Sequence, residues 1–182
     1  MKPPDTAPGT TLPEVAPIDV GVDHIRGPAG GHLILEYGDY ECPYSRVAYR
    51  EIQRVERALD GNVSVAFRHF PLMGIHPRAL AAAVAAEAAA LQGRFWEMSE
   101  VLFRRQRALA DQNLRAYATE LGLDLARFDA GRTGRDVLAR VRRDVDSGLA
   151  SRQVHGTPTL FVDGALHRGG SDAASLLEAL GT

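Results

Sequence analysis

One thiol dominates the chemistry this chain can do. Cys42 stands in Cys42-Pro43-Tyr44-Ser45, directly after the apolar run Leu33-Ile34-Leu35-Glu36-Tyr37 and the turn residues Gly38 and Asp39. That order predicts a strand, a short polar turn, and a helix whose first turn carries the sulfur. A helix N-terminus offers unpaired backbone N–H groups and the positive end of the helix dipole. Both favour thiolate over thiol, and the thiolate is the nucleophile. Pro43 suits the first helical position, where its missing N–H costs nothing. The spacing is that of Cys-X-X-Cys with Ser45 in place of the second cysteine. Serine one turn on can donate a hydrogen bond to a thiolate, but it cannot resolve a mixed disulfide. Two origins fit it: a natural monothiol site, or the usual replacement for a resolving cysteine. A free cysteine also packs well as an inert small hydrophobe. Placement after a strand, at the sheet's carboxyl edge, argues for an outward-facing thiol instead.

Other residues are weighed against plainer roles. Glu36 is a carboxylate inside an apolar strand, six residues before Cys42. Buried there, its pKa would rise and it could act as acid or base; its plainer role is the polar face of a half-buried strand. His69 and His76 flank Phe70-Pro71-Leu72-Met73 and could line a cleft, though a lone histidine is more often structural or solvated. No histidine pair has helical ligand spacing and one cysteine cannot build a Cys-rich zinc site, so no metal is expected. Phe95, Trp96 and Phe103 read as core.

The elements that must position these groups follow from periodicity. Residues 1–28 hold six of the ten prolines and read as an extended arm, with a short strand at 18–20. A strand is expected over 32–37, an amphipathic helix over 43–59 (Val47, Ile52, Val55, Leu59), and a half-buried strand over 63–69. Strand–helix–strand at these lengths predicts a parallel pair. From 76 to 153 only helical signal appears: the alanine-rich stretch, then 95–106, 113–121, 125–128 and 135–149, with Asp111 and Asp124 as N-caps. A hairpin is expected around Asp163-Gly164 after strand 159–162, and a last helix over 172–180.

Composition sets limits on this reading. The chain has 182 residues, 45% hydrophobic and 24% charged, with net charge −2. That is ordinary for a globular protein, and acids scattered among the bases give no nucleic-acid footprint. A bilayer span needs roughly 20 apolar residues; the alanine run is shorter and interrupted by Glu87, so no membrane insertion is expected. Met1-Lys2-Pro3-Pro4-Asp5 has no apolar signal region, which points to the cytoplasm as the sequence stands, or to a periplasmic or other extracytoplasmic site if a signal was trimmed.

The order strand–helix–strand, helical insertion, hairpin and helix resembles an α/β thioredoxin fold, a mixed sheet flanked by helices, with an inserted α-helical domain. The residues make the resemblance specific. Asp23-His24-Ile25-Arg26-Gly27-Pro28, Glu36-Tyr37-Gly38-Asp39-Tyr40-Glu41-Cys42-Pro43-Tyr44, Arg68-His69-Phe70-Pro71-Leu72, His76-Pro77, Phe95-Trp96 and Gly156-Thr157-Pro158-Thr159 together look like the DsbA family of thiol–disulfide oxidoreductases. The branch it resembles is also found fused to sodium/proton antiporters. The departure is Ser45. The implied division is an arm at 1–28, a thioredoxin-fold domain at 29–75 and 154–182, and an inserted helical domain at 76–153.

The resemblance implies that Pro158 is a cis-proline opposite Cys42. Thr157 backbone would then pair with an extended substrate, while Pro43 and Tyr44 contribute to binding. It also implies that Glu36 is the buried acid that passes protons near the sulfur. Cys42, Ser45 and Glu36 are the expected catalytic set. The expected activity is monothiol thiol–disulfide exchange on a disulfide-containing or glutathionylated protein or peptide. No cofactor is tightly held, and glutathione serves as co-substrate. Two rivals share the scaffold. Kappa-class glutathione transferases and chromene-carboxylate isomerases use a serine where Cys42 stands. A binding module would keep the cleft and do no chemistry.

Overall fold

The computed structural model describes residues 15–182; the first half of the expected arm lies outside the described residues. Among the described residues five strands form one mixed sheet: β1 (His24–Arg26), β2 (His32–Gly38), β3 (Val63–His69), β4 (Thr159–Val162) and β5 (Ala165–Leu166), in the order β1-β3-β2-β4-β5. β2 and β3 are parallel, in register from His32 opposite Val63 to Gly38 opposite His69, and the other pairs are antiparallel. β2 therefore sits inside the sheet with a neighbour on each side, which accounts for its near-continuous apolar run.

Among the described residues seven helices flank this sheet: α1 (Pro43–Ala58), α2 (Ala79–Ala90), α3 (Phe95–Arg104), α4 (Asp111–Glu120), α5 (Leu125–Arg132), α6 (Arg135–Ser151) and α7 (Ala173–Ala179). α1 makes the crossover between β2 and β3. Its buried Ser45, Ala48, Tyr49, Ile52 and Val55 recur at helical spacing, and Ile52 and Val55 pack with Ile34, Leu160 and Leu176. Burial of each such aliphatic side chain contributes about 1.5–3 kcal/mol. On the other side of the sheet Leu35, Tyr37, Phe70 and Phe161 form a second cluster.

α2 to α6 stand between β3 and β4. The alanine run is a helix with Ala82, Ala83, Ala85, Ala86, Ala88 and Ala89 all buried. It takes α5 at close range: a Cβ on Gly131 would lie 3.2 Å from the Cβ of Ala88. Phe95 and Phe103 share their core with Tyr40, Tyr49 and Phe67 from the sheet side. The inserted helices are thus continuous with the sheet's own packing. No helix among the described residues is long and apolar enough to cross a membrane.

Three local expectations are corrected. The arm expected over 1–28 does not reach residue 28 as a separate segment, because His24–Arg26 pair with β3 as an edge strand of the sheet. Residues 18–20 form no strand: Asp19 C=O accepts the N–H groups of Val22 and Asp23, and its carboxylate accepts that of Gly21, folding the segment into a turn before β1. Asp111 is the first residue of α4 and Ala110 the cap; the Asp111 carboxylate is taken by Arg132. Asp124 does cap α5, accepting Arg127 N–H at 2.9 Å.

Candidate active site

The sulfur sits where β2 ends and α1 begins. Cys42 is the N-cap of α1 with extended backbone (φ −73°, ψ 119°), and Pro43 follows at the first helical position. The Cys42 N–H donates to Asp39 C=O at 3.1 Å, and its own C=O accepts Arg46 N–H at 3.2 Å. The thiol is turned inward: Cys42 is 3% exposed, and Sγ donates to the carbonyl oxygen of Thr157 at 3.2 Å. The outward-facing thiol expected from sequence is therefore corrected. The loop before β4 closes over the sulfur, which no local feature of residues 38–45 reveals. The Thr157–Pro158 peptide bond is cis. Thr157 Oγ1 is buried without a partner among the described residues.

Ser45 is fully buried one turn along α1. Its hydroxyl accepts Asp39 N–H at 3.3 Å, and among the described residues no hydrogen bond joins it to the sulfur. Pro43 and Tyr44 are exposed beside the cysteine, Tyr44 at 71%.

Glu36 lies on β2, 1% exposed, with Oε1 unpartnered among the described residues. Burial pushes its carboxyl up to about 8, against the opposing pull of the Arg26 guanidinium. Gly38 makes room for this group: a Cβ there would lie 2.9 Å from Glu36 Oε1 and 2.4 Å from the Phe67 ring. Among the described residues no hydrogen bond connects Glu36 to Cys42. Glu36 stands on the strand and Cys42 at the cap of the helix that follows it.

Two groups that the sequence reading left out hold the corner together. Asp39 is buried; its Oδ1 accepts Glu41 N–H at 2.8 Å, and its Oδ2 accepts Leu72 N–H at 2.9 Å and meets His76 Nδ1 at 2.7 Å. An aspartate just after a strand is the signal that could have found it. Gln106 reaches in from the α3–α4 connection, its Nε2 donating to Tyr40 O at 2.8 Å and Cys42 O at 2.7 Å. Nothing in its sequence surroundings marks it. Of the two histidines weighed earlier, His76 joins this frame, whereas His69 is fully buried against Glu87.

The thioredoxin family model matches residues 21–181. The chain belongs to the thioredoxin family. Among solved members of this fold, it is similar to a thioredoxin-like oxidoreductase from Silicibacter pomeroyi: 27% identity, TM-score 0.74, covering 87% of this chain and 90% of that one. Its fold also matches alpha-DsbA1 from Wolbachia pipientis, at 17% identity and TM-score 0.75 over 90% and 92% of the two chains. This thioredoxin-family chain is therefore DsbA-like in fold. It is also 44% identical over 167 residues to the Na(+)/H(+) antiporter NhaA 1 of Mycolicibacterium gilvum, covering 90% of this chain. The chain spans about a quarter of the length of that relative (27%).

Proposed function

We propose that the chain is a thiol–disulfide oxidoreductase that works through Cys42 alone. The observation that carries this reading is the contact of Sγ with the Thr157 carbonyl at 3.2 Å, at the N-terminus of α1. A sulfur held between a helix N-terminus and a backbone loop can exchange a weak hydrogen bond to protein for contact with an incoming disulfide. Extended substrate backbone can then pair with the groups of Thr157 by strand addition.

The chemistry balances without a bound cofactor. Cys42 thiolate attacks one sulfur of a protein disulfide or of a protein–glutathione mixed disulfide. One S–S bond forms as another breaks, and the departing sulfur leaves as a thiolate that takes up a proton. No second cysteine exists to resolve the Cys42–S–S– intermediate. An external thiol such as glutathione attacks it, regenerating Cys42 and carrying away the second sulfur as a new disulfide. Glu36, with a carboxyl near 8, is suited to exchange protons with the corner as Cys42 cycles. Ser45 and Asp39 keep the turn closed around the sulfur. Net dithiol oxidation by the isolated chain does not fit one cysteine; deglutathionylation and disulfide shuffling do.

The test is intact mass after exposure to oxidised glutathione. The expected result is one glutathionyl group on the native protein, reversed by reduced glutathione and missing in Cys42→Ala. An unchanged mass with the fold intact would leave the silent binding module standing. Conjugation of glutathione to electrophiles, without adduct formation, would favour the transferase.

A further inference from the structure

Away from the sulfur, three side chains from three elements meet at one point. His24 on β1 and His69 at the end of β3 lie on the same face of adjacent antiparallel strands, since His24 pairs with Phe67, two residues before His69. Glu87 comes down onto that face from α2. His24 Nε2 and His69 Nε2 each lie 2.8 Å from the same carboxylate oxygen, Oε1 of Glu87, and the three atoms are all within 4.8 Å of one another.

From this juxtaposition we infer that His24, His69 and Glu87 form a binding site for a divalent transition-metal cation of the zinc class. Two imidazole nitrogens and one carboxylate oxygen are a donor set that zinc takes at about 2.0–2.2 Å, with the fourth position left open. An ion at those bond lengths needs donors about 3.4 Å apart, so each imidazole moves off the Glu87 oxygen by about half an ångström, and the two Nε2 atoms, within 4.8 Å of each other, settle at that same spacing. The surroundings exclude water on most sides. The His69 side chain is 1% exposed and that of Glu87 7%, while His24 at 17% supplies the entry path. Phe95 stacks on His24 with ring centroids 3.4 Å apart and meets His69 edge-on at 5.8 Å. Tyr40 and Phe67 close the remaining sides of His69.

The ion would replace a hydrogen-bonded bracket in which both Nε2 atoms donate to one oxygen. Neutral imidazoles would move their protons to Nδ1, and any protonated one would release a proton. Among the described residues His69 Nδ1 is buried without a partner, so its ring is aimed by aromatic packing rather than by the usual outer hydrogen bond. That sets the expected affinity below that of a closed structural zinc site. The consequence is a clamp between the edge of the sheet and the first inserted helix, independent of the chemistry at Cys42. Ligands at positions 24, 69 and 87 are too far apart in sequence for a spacing rule to find, which is why sequence reading expected no metal.

The test uses the full chain with Cys42→Ala, removing the thiol as a competing ligand and separating this result from the oxidoreductase reading. Cobalt(II) absorption and zinc calorimetry should show one saturable equivalent, and added zinc should raise the thermal midpoint. His24→Gln and Glu87→Gln should each weaken binding by at least about 10-fold. His24→Gln, at a partly exposed position, should leave the cooperative metal-free melt in place. Two results would overturn the site: no saturable equivalent, or binding undiminished in both variants. The first makes the trio a hydrogen-bonded bracket and nothing more, and the second assigns the ion to surface histidines.

Discussion

Gln106 Nε2 lies 2.7 Å from the carbonyl oxygen of Cys42, so a side chain from the inserted helices holds the turn that carries the nucleophile. The same nitrogen also satisfies Tyr40 O. Gln106→Ala leaves the Tyr40 carbonyl unmet in a buried setting, at a cost of about 1–3 kcal/mol. Gln106 is a positioning residue, so stability alone does not test it. We expect a lower urea midpoint together with a rate of glutathione-adduct formation at Cys42 that falls several-fold in native buffer. Gln106→Glu, which lacks the donors, should behave like the alanine variant. A destabilised variant with an unchanged adduct rate would reduce the contact to simple scaffolding.

Ser45 lies one helical turn from the sulfur, and its burial leaves no room for a bulky replacement. Sulfur is a modest enlargement of the hydroxyl oxygen. Ser45→Cys should therefore fold and supply the missing resolving thiol. Insulin reduction in the presence of a dithiol, and loss of both free thiols after oxidation, are the expected gains. The Ser45 hydroxyl accepts from Asp39 N–H, a bond that a thiol makes poorly, so a drop in stability of about 1 kcal/mol should accompany the gain. If the variant stays reduced under oxidised glutathione, the two positions do not work as a pair.

The parts of the fold that sequence conveys are those with a strong local period. β2, α1 and β3 fall within a residue or so of their expected bounds, because a strong local period writes itself into residue order, although β3, expected to be half-buried, is buried at all seven positions. From residue spacing the site is legible only in its local half; the Thr157–Pro158 loop, cis and over the sulfur, is expected from the family resemblance alone. Cys42, Pro43 and Tyr44 lie on one continuous corner, whereas the carbonyl over the sulfur comes from 115 residues away and the Gln106 amide from 64 residues away. A long-range hydrogen bond to a backbone oxygen leaves no trace in spacing. The same holds for the buried cysteine: exposure at a helix N-terminus is a fair local expectation, overridden by a loop that arrives later in the chain.

Glu36 makes a pH prediction with a definite sign. Its carboxyl ionises near 4.5 when solvated and near 8 in the folded protein. The unfolded chain therefore releases this proton first, and the group's contribution to stability falls as pH rises from about 4.5 to about 8. The full effect is on the order of 5 kcal/mol. Glu36→Gln should remove that slope, so that urea midpoints at pH 8 rise relative to the parent while those at pH 4 change little. The same substitution should slow thiol exchange, if the acid serves as the proton partner. Equal midpoint shifts at both pH values would contradict the raised value and leave Glu36 as an ordinary polar core residue.

The surface around Cys42 should decide which partners it receives. Asp39 ties the loop after β3 to the cysteine's turn through Leu72 N–H and His76. That tether brings apolar side chains to the site's neighbourhood. Met73 is 61% exposed, Ile75 71%, and Tyr44, two residues from the sulfur, 71%. Large exposed apolar groups on two segments tied to the cysteine's turn offer a contact surface for another apolar surface. Glutathione is small and anionic, and it needs little of that surface. Ile75→Ser with Tyr44→Ser should therefore slow exchange with an unfolded protein disulfide by about 10-fold or more, since losing two such contacts removes upward of 1.4 kcal/mol. Reaction with oxidised glutathione should change by less than about 2-fold. Both positions are exposed, so the double variant should melt like the parent. If both substrates slow alike, the patch acts on the thiol itself; if neither slows, the protein's partners are recognised elsewhere and small disulfides become the better substrate class.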